Sequence, residues 1–170
     1  MFVIDRTFET EERRVEMVER VAVLFGTETG NAEDVAEELS LALGGAGFEA
    51  ATLDMEDAGA GIFAEELAVV ICTSTFGEGE LPFGAEELYE AVCSGRPDLG
   101  GLRFAVCALG DSAYPDFCEA GRTWSRLLWE LGAVEVVERY EIDEGPSEED
   151  LAGAREWVER AAVELSAAVR

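Results

Sequence analysis

Three short segments hold the residues best suited to chemistry. In the first, Gly26-Thr27-Glu28-Thr29-Gly30-Asn31-Ala32, hydroxyls, an amide and two glycines sit just before an amphipathic stretch that begins near Ala32 or Glu33. Backbone N–H groups at a helix start carry partial positive charge, and Thr27, Thr29 and Asn31 add neutral donors, so this segment can cradle a phosphate without a cation. It equally suits an ordinary helix cap by Thr29 or Asn31. In the second, Thr73-Ser74-Thr75-Phe76-Gly77-Glu78-Gly79-Glu80, an aromatic precedes two flexible glycines. Phe76 can stack on a flat ligand that Gly77 lets the backbone approach, or it can be a core side chain beside a turn. The third, Leu109-Gly110-Asp111-Ser112-Ala113-Tyr114-Pro115-Asp116-Phe117-Cys118, repeats the pattern with a glycine turn, polar groups and two aromatics. Together the segments describe a site for a flat, phosphorylated molecule.

Charge narrows the chemistry further. The chain of 170 residues carries 38 acids against 12 bases, a formal charge of −26, and contains neither lysine nor histidine. Lysine-based phosphate grips, Schiff bases, Ser-His or Cys-His dyads and imidazole metal sites are therefore excluded. A surface so negative repels nucleic acid and favours a basic protein partner. No base lies between Val21 and Gly95, so a phosphate held there must be held by neutral groups. Solubility, a salt-adapted proteome or a GC-rich genome are other origins for the excess acid. Cys72, Cys93, Cys107 and Cys118 lack C-x-x-C spacing and read as structural thiols.

These segments need a frame. Val21–Phe25, Leu67–Cys72 and Phe104–Leu109 are nearly continuous apolar runs, expected of strands buried on both faces at a sheet centre. Phe48–Leu53 and Val134–Tyr140 mix polar and apolar residues, as strands nearer the edges do. Between them lie helical faces: Val35, Ala36, Leu39 and Leu43; Ala85, Leu88 and Val92; Ala120, Trp124, Leu127 and Leu131; and Leu151 through Val169 after Pro146 and Ser147. The alternation predicts an α/β fold, a three-layer, doubly wound parallel sheet of five strands. Ligands of such sheets bind beyond the carboxyl ends of the strands, and all three segments follow predicted central strands.

The three loops together resemble the flavodoxin family, most closely the FMN-binding domain of diflavin reductases such as the sulfite reductase flavoprotein, and also small short-chain flavodoxins. The resemblance covers about residues 21–165. It implies FMN as cofactor, with Thr27, Glu28, Thr29, Gly30, Asn31 and Ala32 at the phosphate. Ser74, Thr75, Phe76 and Gly77 would line one side of the isoalloxazine. Leu109, Gly110, Asp111, Tyr114, Phe117 and Cys118 would wrap the ribityl chain and the other side, with Phe76 and Tyr114 sandwiching the ring. Ala32 stands where many flavodoxins have threonine, and Phe76 where tyrosine or tryptophan is more usual. Gly77 is the residue whose carbonyl would turn toward a protonated flavin nitrogen. No long insertion interrupts the predicted fifth strand.

The expected function is low-potential, one-electron transfer from a flavin or ferredoxin-type reductase to an acceptor protein. No acid, base or nucleophile of the protein is needed. Glu78 and Glu80 around the ring should resist added negative charge and lower its potential. Asp143, Glu144, Glu148, Glu149 and Asp150 resemble the acidic docking stretch of diflavin reductases, and would steer a basic partner. A flavin-dependent NAD(P)H:quinone reductase is the alternative, although no nicotinamide site is visible. A phosphorelay receiver shares the architecture, and Asp54 is suggestive, but its acidic pair and lysine are missing. Residues 1–20 read as an extension before a domain at 21–170. No apolar run is long enough for a membrane span, and the first twenty residues lack a signal-type apolar core, so a cytoplasmic monomer is expected.

Overall fold

The computed structural model describes residues 18–166. Its elements in chain order are β1 (Arg20–Gly26), α1 (Asn31–Gly45), β2 (Glu49–Asp54), α2 (Ile62–Glu65), β3 (Ala68–Ser74), α3 (Phe83–Gly95), β4 (Arg103–Gly110), α4 (Glu119–Glu130), β5 (Val134–Glu135), β6 (Tyr140–Asp143) and α5 (Glu148–Leu165). All strand pairings are parallel, in the order β2-β1-β3-β4-β5, with β6 also beside β4. This is the doubly wound α/β sheet expected, with the two mixed segments at its edges. The extension assigned to residues 1–20 lies outside the described residues as far as 17, and β1 begins one position before the expected boundary.

Side-chain alternation splits the core into two layers. Val21, Val23 and Phe25 of β1 join Ala68, Val70 and Cys72 of β3 and Ala105, Cys107 and Leu109 of β4 beneath α1 and α5. Ala22, Leu24, Val69, Ile71, Phe104, Val106 and Ala108 point the other way, under α3 and α4. Trp124 is fully buried in that second layer, edge-on to Tyr89 with ring centroids 5.2 Å apart. Cys72 and Cys107 pair across β3 and β4 as buried thiols. A hydrogen bond with Cys72 is the largest influence raising the Cys107 thiol well above its usual range, followed by burial. The last helix starts on Ser147, which accepts from the Asp150 amide while the Asp150 carboxylate accepts from the Ser147 amide, a reciprocal capping box.

Two features differ from expectation. The fifth strand, expected as one run over Val134–Tyr140, is broken into β5 and β6. Phe104 pairs with Glu135 and Cys107 with Tyr140, so β4 advances three residues while its neighbour advances five. The two extra residues bulge out, and the Glu138 carbonyl in this stretch accepts a 2.8 Å bond from the otherwise buried Trp157 indole. The second is α2, one turn anchored by buried Phe63 and too short for a periodic signal.

Candidate functional site

At the end of β1, a Cβ on Gly26 would stand 3.1 Å from both the Ala85 Cβ and the Met55 Sδ, so only glycine passes here without displacement. Thr27 Oγ1 then accepts a 2.9 Å bond from the Gly30 amide, closing the turn. Gly30, at φ 92°, is the N-cap of α1 and no side chain caps the helix, so neither Thr29 nor Asn31 acts as an ordinary cap. The first helical bond runs from Asp34 N to Gly30 O. The amides of Asn31, Ala32 and Glu33 therefore have no acceptor among the described residues and point out of the helix start. Ala32 is buried, and the Cys72 thiol beneath it donates to its carbonyl at 3.3 Å. Glu28 is directed away from these amides: its Oε1 accepts from Phe83 N at 2.7 Å, capping α3.

The β3 loop is held from both sides. Thr75 N donates to Leu109 O at 3.0 Å, and Thr75 Oγ1 accepts from Ala120 N at 3.3 Å near the start of α4. Phe76 and Glu80 exchange backbone bonds of 2.9 and 2.8 Å, with Gly77 and Gly79 at positive φ between them. A Cβ on Gly77 would run into the Glu80 carboxylate, which itself accepts from Glu78 N at 2.6 Å. Phe76 is thereby turned outward and is 54% exposed, so it is not a core side chain.

After β4, Gly110 passes so close to the next turn that a Cβ would lie 2.7 Å from Cys118 N. Asp111 folds the chain back by accepting from the Ala113 amide at 2.8 Å and, through its carbonyl, from Tyr114 N at 3.1 Å. Tyr114 stands 62% exposed on this loop. Ser112 gives both its amide and its hydroxyl to Asp143, at 2.8 and 2.5 Å, and these bonds hold the Asp143 carboxyl below the usual range. Leu109 and Cys118 are buried, and half-buried Phe117 packs on the α3 and α4 layer. Of the two, only Leu109 lines the cleft that the loops enclose. Burial pushes the Cys118 thiol up to about 12, which leaves it protonated and unreactive.

The loops enclose a cleft of about 290 Å³ whose wall includes Thr29, Asn31, Ser74, Phe76 and Asp111. Of the residues expected at the ligand, Thr27, Gly30, Ala32, Gly77, Tyr114, Phe117 and Cys118 stand outside that wall. Glu144 belongs to it and is absent from the residues the sequence singled out for the ligand. Its backbone is left-handed, at φ 65°, and its amide donates to Gly110 O at 2.7 Å. Its place just beyond the carboxyl end of the last strand was the available signal. A second concavity of about 200 Å³, beside Val18, Phe48 and Leu67, lies at the opposite end of the sheet, away from these loops.

The cleft presents unpaired helix amides, neutral side-chain donors and an exposed aromatic, and its wall contains no cationic residue. That donor set fits a phosphate joined to a flat ring. The flavodoxin family profile matches residues 23–157. The chain belongs to the flavodoxin family. Flavodoxins carry FMN and transfer electrons, and that general function comes with membership.

Curated relatives include the sulfite reductase [NADPH] flavoprotein alpha-component of Neisseria meningitidis serogroup C, 41% identical over 124 residues, which are 72% of this chain and 20% of that protein. The protein of the same description from Vibrio parahaemolyticus is 37% identical over 139 residues, 81% of this chain and 22% of that one. The flavodoxin chain thus spans about a fifth of the length of these relatives. Among solved structures, a flavodoxin mutant from Pseudomonas aeruginosa superimposes with a TM-score of 0.78 at 34% identity, covering 86% of this chain and 98% of that one. The Streptococcus pneumoniae TIGR4 flavodoxin gives 0.79 at 27% identity over 85% and 99% of the two chains. Among the described residues, no helix is long and apolar enough to cross a membrane.

Proposed function

We propose that this flavodoxin is an electron shuttle that receives electrons from a separate flavin or ferredoxin-type reductase and delivers them, one at a time and at low potential, to an acceptor protein. The observation that carries this reading is the adjacency of uncapped α1 amides to exposed Phe76 across one cleft. The amides of Asn31 to Glu33, with Thr29 and the Asn31 side chain, would hold the FMN phosphate through neutral hydrogen bonds and the helix-start field. Phe76 would cover one face of the ring, and Tyr114, on a loop just outside the cleft wall, would cover the other. The backbone of Leu109 to Asp111 would follow the ribityl chain. When bound, FMN supplies reversible electron uptake at its ring system.

Within this reading the protein's own groups orient and insulate. Glu78, Glu80 and Glu144 place negative charge beside the ring position and oppose further negative charge there. Gly77 has no side chain to bar its peptide from turning its carbonyl toward the ring edge, and that turn would release the Glu78 N–H from the Glu80 carboxylate. Homology to a fifth of the sulfite reductase flavoprotein supports a sulfite-reducing or similar multi-component chain as the setting. The test is FMN uptake by purified protein, followed by the visible spectrum during stepwise reduction. Stoichiometric binding with reversible bleaching is expected. A colourless protein that takes up no FMN overturns the reading.

A further inference from the structure

We propose that Asp143 is a positioning residue that clamps the Tyr114 loop onto the end of the sheet and so sets the second wall of the cofactor site. This rests on the FMN reading above and assigns that reading a residue outside the phosphate and ring contacts. Gly110 and Asp143 are partners in the β4 to β6 register, which places the start of the loop beside the last residue of β6. From there Asp143 spends both oxygens on one residue, Ser112, at 2.8 Å to its amide and 2.5 Å to its hydroxyl. Within the loop, Asp111 alone organises the turn, through Ala113 N and Tyr114 N. From Asp111 to Pro115 the bonds to Asp143 are the only hydrogen bonds to another element among the described residues, and the next tie, Asp116 O accepting from Glu119 N at 3.1 Å, comes where the loop enters α4. Tyr114 is 62% exposed and two residues beyond the clamp, between it and the Asp116 bond to α4, so the clamp fixes the side of the loop that leads to its ring.

Electrostatics makes the proposal decidable. Asp143 is a carboxylate at the edge of a site for a dianionic phosphate, beside Glu144 and Asp111. Removing its charge should tighten FMN binding if charge is its only influence. Removing the clamp should weaken it, because a loop that must be ordered on binding subtracts from affinity. The two roles have opposite signs.

The experiment measures FMN affinity by flavin fluorescence quenching in five proteins: wild type, Asp143→Ala, Asp143→Asn, Tyr114→Ala and the double variant Asp143→Ala with Tyr114→Ala, the double variant being compared with Tyr114→Ala and the single Asp143 variants with wild type. Far-ultraviolet circular dichroism establishes that each is folded. Asp143→Ala is expected to weaken binding about tenfold, the scale of one charge-assisted hydrogen bond. Asp143→Asn keeps an acceptor for the Ser112 amide, and should stay within about threefold of wild type. In the Tyr114→Ala background the alanine penalty should fall below about twofold, since the clamp acts through that ring. The visible circular dichroism of bound flavin should change in Asp143→Ala and return in Asp143→Asn. Tighter binding in Asp143→Ala, or an equal penalty with and without Tyr114, overturns the clamp while leaving FMN binding intact. Failure of the wild type to bind FMN overturns the parent reading instead.

Discussion

The Glu28 carboxylate accepts from the backbone N–H of Phe83 at 2.7 Å, joining the first cofactor loop to the start of α3. This bond explains how an acid is tolerated beside a phosphate cradle that has no cation: the charge is turned to another helix start, where it is favourable. Glu28→Gln retains the acceptor and removes the charge. At roughly 8 Å in a water-like dielectric, one charge against a dianion costs about 1 kcal/mol, so FMN should bind about fivefold tighter at low salt. Glu28→Ala should instead cost about 0.5–2 kcal/mol of stability through the lost cap. Fluorescence titration and urea unfolding separate the two effects.

The exposed ring of Phe76 makes the second case. Phe76→Ala should weaken FMN by about 1–3 kcal/mol, the range for stacking of a planar base on an aromatic side chain, whereas Phe76→Trp should preserve binding. Stability should barely change, because the ring is 54% exposed and the loop is held by backbone bonds between Phe76 and Glu80. A large loss of thermal stability in Phe76→Ala would place the ring in the core and contradict the site.

Gly110 has no room for a side chain. Its alanine variant would bring a Cβ to 2.7 Å from Cys118 N and 3.0 Å from the Phe117 ring, so backbone must move. Overpacking of this kind costs about 1–3 kcal/mol, and at about 2–4 °C per kcal/mol the melting temperature should fall measurably. FMN affinity should fall with it, since the same residue accepts the Glu144 amide at the cleft wall. Scanning calorimetry with and without FMN tests both.

The central strands and the position of the three loops were legible because burial on both faces leaves an uninterrupted apolar run, as in Val21–Phe25 and Phe104–Leu109. Ser147 and Pro146 likewise announce α5 from local chemistry alone. What escaped is non-local. Glu28 finds its acceptor role 55 residues away at Phe83, and Ser112 meets Asp143 31 residues on. Thr75 spends its hydroxyl on Ala120, and Phe117 and Cys118 turn inward because α4 begins on a left-handed Cys118. The break between β5 and β6 follows from the Trp157 indole requiring the Glu138 carbonyl, a demand that no strand periodicity reveals.

Acid should weaken the α5 start in a defined direction. Hydrogen bonds from the Ser147 hydroxyl and amide hold the Asp150 carboxyl below its usual range. A depressed native value means that the stabilisation is present above the unfolded carboxyl value, near 4, and is lost as pH falls through the native one. Asp150→Asn should therefore unfold at lower urea than wild type at pH 7, with the gap closing below about pH 4. Because Asp150 is only partly buried and water competes for its oxygens, the gap should be small, and raising salt should not abolish it as it would a simple surface ion pair. A gap that widens on acidification would contradict the capping box.

The acid on the cleft side of the sheet should act on partners through rate. Glu78, Glu80, Glu148 and Glu149 lie on loops or helix starts that follow β3 and β6, the same end as the cleft. Charge complementarity raises association rates and is screened within about 8–10 Å at physiological salt. With FMN bound, electron transfer to a basic acceptor such as cytochrome c should slow steeply as ionic strength rises from about 0.01 to 0.15 M, where the Debye length falls from about 30 to 8 Å. Replacing these four glutamates by glutamine should reduce the rate at low salt and flatten its salt dependence, with FMN affinity unchanged or tighter. Stopped-flow absorbance reads the rates directly. If the quadruple variant keeps the wild-type salt slope, the −26 charge steers through some other face or reflects solubility alone.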